Sequence, residues 1–267
     1  MVPDSLTHEA ELQRVLDHAP DLAGAIARGE IETVYQPQFT LPEERLIGAE
    51  ALARWQHPQL GEIGAGPLFA IAEEQGVTTR LSQRIVANAL AEFARWPGRL
   101  RLSVNVLPEE VAASDFATGF LHRVAQAGIN PARLTVEITE EVLLGDLPKA
   151  AVTLGAMREA GIRSALDDFG AGFCNFRYLK ILPLDYLKLD RSMVDGIASD
   201  ERDLAVLRGI VAMGTALGLR VIAEGIETAA QRDIVANEGC DTYQGFLRAA
   251  PMSARAFREL ALAQAAF

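Results

Sequence analysis

Cysteine and histidine are scarce in this chain, and their scarcity excludes whole classes of chemistry. Two cysteines, Cys174 and Cys240, cannot build a disulfide framework and suit a reducing compartment. The four histidines, His8, His18, His57 and His122, show no metal-ligand spacing, so a zinc site of the His/Cys kind is not expected. Basic residues are in deficit as well. Lys and Arg number 25 against 36 Asp and Glu, and the net charge of -11 argues against non-specific binding to duplex nucleic acid or to an anionic membrane surface. No apolar run approaches the length of a membrane span, and the N-terminus lacks a signal-peptide core. A folded, cytoplasmic protein is the expectation, and 267 residues would fill one α/β barrel.

Against that background the acids are placed with a pattern. The stretch Ser164-Ala165-Leu166-Asp167-Asp168-Phe169-Gly170 reads as a buried strand that ends in two carboxylates and a glycine turn. Helix capping or a turn would account for Asp168 but not for Asp167, which is still in the strand. Similar runs carry Glu137 at 134–140, Lys188 and Asp190 at 184–190, and Glu224 and Glu227 at 220–227. Strands are also expected at 32–39, 46–55, 100–106 and 241–246, eight in all. The link Thr40 to Arg45 is too short for a helical crossover, so the first two strands must form an antiparallel hairpin. In the second, Glu50, Leu52 and Arg54 share one face, and Ile47, Ala49, Ala51, Ala53 and Trp55 the other. Helices are expected at 63–96 with a break at Gly76, 108–127, 147–160, 201–217, from 228 and from 253. Residues 1–30 read as an N-terminal amphipathic helix, for packing or as a linker, and 31–267 as one domain. The fold class expected is α/β, a (β/α)8 TIM barrel modified by an antiparallel first strand.

In such a barrel the strand C-termini share one mouth. That mouth would gather Glu50, Asn105, Glu137, Asp167, Asp168, Lys188, Asp190, Glu224 and Gln244. So many carboxylates repel one another unless some are protonated or a divalent cation joins them. Oxygen-only ligands favour Mg2+ or Mn2+, and adjacent aspartates can hold two metals. Arg54 would suit a phosphate oxygen. Two other readings stand beside this one: a Glu50–Arg54 surface pair, and Lys188 as a Schiff-base nucleophile, which the surrounding acids disfavour by keeping it protonated.

Taken in order, Tyr35-Gln36-Pro37, Glu50-Ala51-Leu52 with Arg54-Trp55, Asn105, Glu137-Ile138-Thr139-Glu140, Asp167-Asp168-Phe169-Gly170, Lys188-Leu189-Asp190-Arg191, Glu224-Gly225-Ile226-Glu227 and Gln244-Gly245 resemble the EAL-domain family of cyclic-di-GMP phosphodiesterases. The resemblance spans roughly Val34 to Met252. It implies metal-dependent hydrolysis of cyclic-di-GMP to linear pGpG. It also implies that Glu50, Asn105, Glu137 and Asp167 ligate metal, with Asp168 toward a second ion. Glu224 would be a metal-site carboxylate and general base, and Lys188 would position the attacking water. Gln36, Leu52, Arg54, Asp190, Glu227 and Gln244 would line the substrate groove, and Glu140 would anchor the loop after the fifth strand. Mg2+ or Mn2+, two per site, would be the cofactor, and Ca2+ would inhibit. A homodimer is implied, as is a sensory or cyclase-like domain preceding the barrel. The chain departs from the family pattern in the loop, Gly170-Ala171-Gly172-Phe173-Cys174-Asn175-Phe176 in place of Gly-Thr-Gly-Tyr-Ser-Ser-Leu, and at Leu107, where Ser is common. The alternative is an inactive cyclic-di-GMP receptor. Such relatives are expected to lose metal-site residues, and this chain keeps them all.

Overall fold

Ten residues of extended chain, a short link and a second strand make a hairpin, as the spacing requires. In the computed structural model, which describes residues 21–140, 146–170 and 178–265, β1 (Ile31–Thr40) pairs antiparallel with β2 (Leu46–His57). The chain then alternates β4 (Arg101–Asn105), β5 (Leu134–Thr139), β6 (Arg163–Phe169), β7 (Tyr186–Leu189), β8 (Arg220–Ala223) and β9 (Thr242–Tyr243), each parallel to its neighbour. β2 pairs in parallel with β4, β1 pairs antiparallel with β9, and the β1–β2 pairing closes the ring. The result is an eight-stranded barrel whose first strand alone runs against its neighbours. Two short strands not foreseen from the sequence extend the sheet: β3 (Gly61–Ile63) on β2 and β10 (Met252–Ser253) on β1.

Helices cover the outside. They are α1 (Leu22–Arg28), α2 (Ala65–Glu74), α3 (Thr78–Phe93), α4 (Pro108–Ala112), α5 (Phe116–Gln126), α6 (Leu147–Glu159), α7 (Tyr178–Ile181), α8 (Glu201–Ala216), α9 (Ala229–Asn237) and α10 (Ala254–Ala265). The single helix expected at 108–127 is two, because Ala113 takes an extended conformation (ψ 131) and ends the first. α1 ends on Gly29 in the left-handed region (φ 78), where the absent Cβ removes the steric cost. The part of that helix expected before residue 21 lies outside the described residues, as does the loop at 171–177. Outward residues of the strands, such as Leu102, Val104, Val136, Ile138, Leu187 and Leu189, pack under the helices in one large core. A second cluster joins Leu22 and Ile26 of α1 to Ala53 and Trp55 of β2 and to Leu68, Ile71 and Leu81. Among the described residues no helix is long and apolar enough to cross a membrane.

The inward faces position the site, and one close approach sets their spacing. Gly48 of β2 lies opposite Arg101 of β4, and a Cβ there would come within 2.3 Å of the Arg101 carbonyl oxygen. The same pairing carries Glu50 into register with Ser103, two residues before Asn105. β2 also holds a bulge. Gln38 pairs with Gly48 but Phe39 with Leu46, so Ile47 has no opposite residue. Ile47 consequently leaves the face it was expected to share with Ala49 and lines a cavity with Ser103 and Thr135 inside the barrel. We expect Gly48→Ala to lower the unfolding free energy by roughly 1–3 kcal/mol, as overpacking does in other cores. Urea denaturation measures this, and an unshifted midpoint would show that β2 and β4 separate freely.

Candidate active site

At the C-terminal mouth of the barrel a lysine is enclosed by acids. Lys188 Nζ, with no exposed surface, lies 2.8 Å from Glu137 Oε2, 2.8 Å from Asp167 Oδ1, 2.8 Å from Glu224 Oε1 and 3.4 Å from Glu50 Oε2. The ammonium donates hydrogen bonds to Glu137 and Glu50 and is ion-paired with Asp167 and Glu224. Two amides extend the network. Asn105 Nδ2 donates to Glu50 Oε1 (2.9 Å). Gln244 Nε2 donates to Glu50 Oε2 (2.7 Å) and Glu224 Oε1 (3.0 Å), and Gln244 Oε1 in turn accepts from Gln38 Nε2 (3.0 Å). One residue is left incomplete: Glu137 Oε1 is buried with no hydrogen-bond partner.

The two aspartates reach this mouth through a device the sequence did not reveal. Adjacent residues of a regular strand point to opposite faces. Here Leu166 pairs with Leu187 and Phe169 with Leu189, so Asp167 and Asp168 together oppose Lys188 alone. This is a bulge, and Asp168 adopts φ +53 within it. Asp is among the few residues with a side chain that tolerate that region, and strain of this kind gathers at functional sites. As a result Asp167 takes part in two groups in which one carboxylate oxygen of each residue lies within 4.8 Å of the others: Glu50, Glu137 and Asp167, and Asp167, Asp168 and Glu224. Carboxylate oxygens in this number, those of Glu50, Glu137 and Asp167 buried and one of them orphaned, with no histidine or thiolate, form a donor set that fits a hard divalent cation.

The protonation pattern follows from burial and crowding. Burial raises the Glu137 carboxyl well above its usual range. Lys188 opposes this, and the Glu50 and Asp167 charges reinforce it. Glu224 is raised likewise, by burial first and then by Asp167 and Glu50 against the pull of Lys188. Asp167 is raised by burial, and Asp168 is pushed up to about 6 by burial and by Asp167. Glu50 goes the other way: burial would raise it, but Lys188, Gln244 and Asn105 together hold it below the ordinary value. For Lys188 burial favours the neutral amine, yet the four carboxylates prevail and hold its pKa well above normal. A lysine kept charged in this way is not a Schiff-base nucleophile.

Two cavities flank the cluster, and Glu224 and Gln244 border both. The larger, about 540 Å3, is walled by Glu50, Asp167 and Asp168 on one side and by Leu52, Phe69 and Ile85 on another. The smaller, about 200 Å3, takes in Gln36, Asp190 and Glu227. Of the expected site residues, Glu50, Asn105, Glu137, Asp167, Asp168, Lys188, Glu224 and Gln244 therefore converge, and Gln36, Leu52, Asp190 and Glu227 lie at the rim. Three rim residues are already engaged. Gln36 Nε2 donates to the Ala249 carbonyl (2.7 Å), Asp190 caps a short 3-10 turn through Ser192 N (2.9 Å), and Glu227 pairs with Arg191 (3.0 Å). Arg54 lines neither cavity. Its guanidinium donates to the Ala53 carbonyl (2.7 Å) and lies 3.5 Å from Glu62 of β3, so no Glu50–Arg54 pair forms. Glu140 directly follows β5, and the loop it was expected to anchor lies outside the described residues. Sequence reasoning missed Phe69 and Ile85, which α2 and α3 bring over the mouth; only their apolar helical periodicity signalled them, and that is equally the mark of a core face.

A family model described as the EAL domain matches residues 19–251. The cyclic di-GMP phosphodiesterase PA2567 of Pseudomonas aeruginosa is 36% identical over 244 residues, 90% of this chain and 42% of that protein. The bifunctional diguanylate cyclase/cyclic di-GMP phosphodiesterase MucR of the same species is 32% identical over 249 residues, 92% of this chain and 36% of that one. A solved structure of the PaMucR phosphodiesterase in complex with c-di-GMP superposes with a TM-score of 0.84 at 32% identity, covering 91% of this chain and 99% of that one. The chain spans less than half the length of these curated relatives.

Two outcomes follow from the charge balance. Carboxyls that are raised in the fold must shed protons to hold a cation, so divalent-metal affinity should rise with pH across roughly pH 5 to 7 with release of protons. Calorimetry in buffers of different ionisation enthalpy reads the release, and equal heats in both would refute it. Lys188→Met should destabilise the metal-free protein by roughly 3–5 kcal/mol at pH 8, since it strands buried acids. Acids whose folded pKa is raised stabilise at low pH and lose that contribution as pH rises. The deficit should therefore shrink at pH 5, and urea denaturation in chelator that finds it equal at both pH values would contradict this account.

Proposed function

The chain belongs to the EAL domain family, and on that footing we propose that it is a metal-dependent phosphodiesterase that opens cyclic-di-GMP to linear pGpG. The observation that carries the reading is the pair of carboxylate groups joined by Asp167, set between two cavities. A two-lobed ligand lying across both would bring a central phosphodiester over the acids. In this reading Glu50, Asn105, Glu137 and Asp167 hold one Mg2+ or Mn2+, and Asp168 and Glu224 complete a second position. Bound there, the cations would stabilise charge on the attacking and leaving oxygens of an in-line displacement.

The chain's own groups do the rest. Asn105 spends its amide N–H on Glu50, which leaves its carbonyl oxygen as the ligand atom. Glu224, with its pKa raised, is suited to take the proton of the attacking water near neutral pH. Lys188 would hold that water when one of its four carboxylates turns away toward a cation. Gln36, Leu52, Asp190, Glu227 and Gln244 orient the substrate, and Arg54 would join them by leaving Glu62. Glu140 steadies the loop after β6. A homodimer belongs to the same reading, as does a sensory or cyclase-like domain in a longer protein. A receptor that binds without hydrolysing would not need the intact acid set.

Turnover with Mg2+ tests the reading, and excess chelator should abolish it. Ca2+, with its looser coordination, should occupy the site and inhibit. Chromatography of a timed reaction should show the linear dinucleotide first and no early GMP. Glu50→Ala should lower turnover more than about a hundredfold, beyond what the loss of an outer partner of a metal ligand brings. The protein should stay folded, since one clustered acid fewer relieves repulsion. Full activity in chelator, or ring opening undiminished in Glu50→Ala, would overturn the proposal.

A further inference from the structure

The opposite end of the barrel carries the reverse charge. Arg101 and Arg220 are the first residues of β4 and β8, Arg45 immediately precedes β2, and Arg99 lies just before β4. All four border one cavity of about 440 Å3, within the range of small-molecule pockets. Four arginines on one cavity are unexpected in a chain of net charge -11. Elsewhere in this protein Arg28, Arg191, Arg208, Arg232 and Arg258 each hold a carboxylate. The four at this cavity hold none: Arg101 Nη1 donates to the Tyr186 hydroxyl (3.1 Å), and Arg45, Arg99 and Arg220 have no ion pair among the described residues. Only two acids, Glu43 and Asp241, border the cavity, and the Asp241 carboxylate is taken by the Val221 amide (2.9 Å).

The cavity runs into a polar interior. TIM barrels usually fill this space with bulky branched residues. Here the inward positions include Ser103, Thr135 and Thr242, all buried residues whose side chains line the cavity. An apolar cluster of Ala165, Tyr186 and Ile222 shares this interior. Hydroxyls lining a cavity that four arginines without ion pairs also border are the groups that recognise phosphate oxygens.

We propose that this N-terminal mouth is a second ligand site, which takes a small phosphate-bearing anion. It is separate from the acidic mouth in both place and charge, and it does not depend on the phosphodiesterase reading. Arg101 and Arg220 grip the phosphate from two sides, and the interior hydroxyls donate to the oxygens of its inner end.

Inorganic pyrophosphate, titrated by calorimetry into the full chain at fixed free Mg2+, is the probe. One equivalent should bind. Arg101→Gln and Arg220→Gln should each weaken it by roughly tenfold, the loss of one charge-assisted contact. Arg220 is exposed and makes no ion pair, so its variant carries no folding risk. Asp167→Asn, which alters the opposite mouth, should bind pyrophosphate as wild type does. Absence of binding, or binding lost in Asp167→Asn and retained in Arg220→Gln, overturns the proposal. Turnover of cyclic-di-GMP by the wild-type protein is read separately, so a failed second site leaves the phosphodiesterase proposal standing.

Discussion

A fully buried ammonium cannot stand without counter-charge, and four carboxylates packed together cannot stand without a cation. Lys188 and the ring of Glu50, Glu137, Asp167 and Glu224 meet both needs at once, though unevenly. One positive charge does not balance four acids. The remainder is carried by protons on the raised carboxyls, by the amides of Asn105 and Gln244 on Glu50, and by an unmet demand at Glu137 Oε1. Such a cluster is held in place by the strands around it. The acid cluster taken by itself is a local conflict inside an otherwise consistent fold, which is where function is expected to lie.

The backbone bears the marks of that conflict. A strand with regular alternation could offer Asp167 or Asp168 to the mouth, not both. The bulge opposite Lys188 and the positive φ of Asp168 provide the second acid at a local conformational cost. The hairpin serves the same end differently. β1 runs antiparallel to β2, so Gln36 faces the Glu50 position in the pairing register, while β2 continues past the mouth to His57 and carries β3. That continuation supplies Glu62, which holds Arg54 away from both cavities.

What could be read from the sequence depended on how local its cause was. The hairpin followed from a six-residue link, and the identity of the acids followed from their place at strand ends; both depend on a few neighbouring residues. β5 was legible to its boundaries because Leu134 to Thr139 alternates cleanly. The bulges at Ile47 and at Asp167-Asp168 were not, because a slipped pairing leaves no trace in a period-two pattern. The helix break at Ala113 was missed for a related reason: no Gly or Pro marks it. Arg54 was placed by its type, and its actual partner sits on a three-residue strand too short to recognise. The apolar wall from Phe69 and Ile85 is tertiary in origin, since it exists only once α2 and α3 fold over the mouth.

Electrostatics also imply an order of events at the acidic mouth. A phosphodiester is an anion, and on the proposed reading it must come to rest over Glu50, Asp167, Asp168 and Glu224. Among the described residues the one buried cation there, Lys188, is already surrounded on four sides and turned toward carboxylate oxygens. Without added positive charge the approach is repulsive, and the low-dielectric surroundings screen that repulsion poorly. Protonation can relieve part of it, but a protonated carboxyl is neither a metal ligand nor a base. The same acids can therefore be neutralised for binding or ionised for catalysis, and only bound divalent cations allow both together. On the proposed reading the acids would therefore have to hold a cation for the substrate to bind productively, and the pH that frees the carboxyls would set the lower limit of the working range.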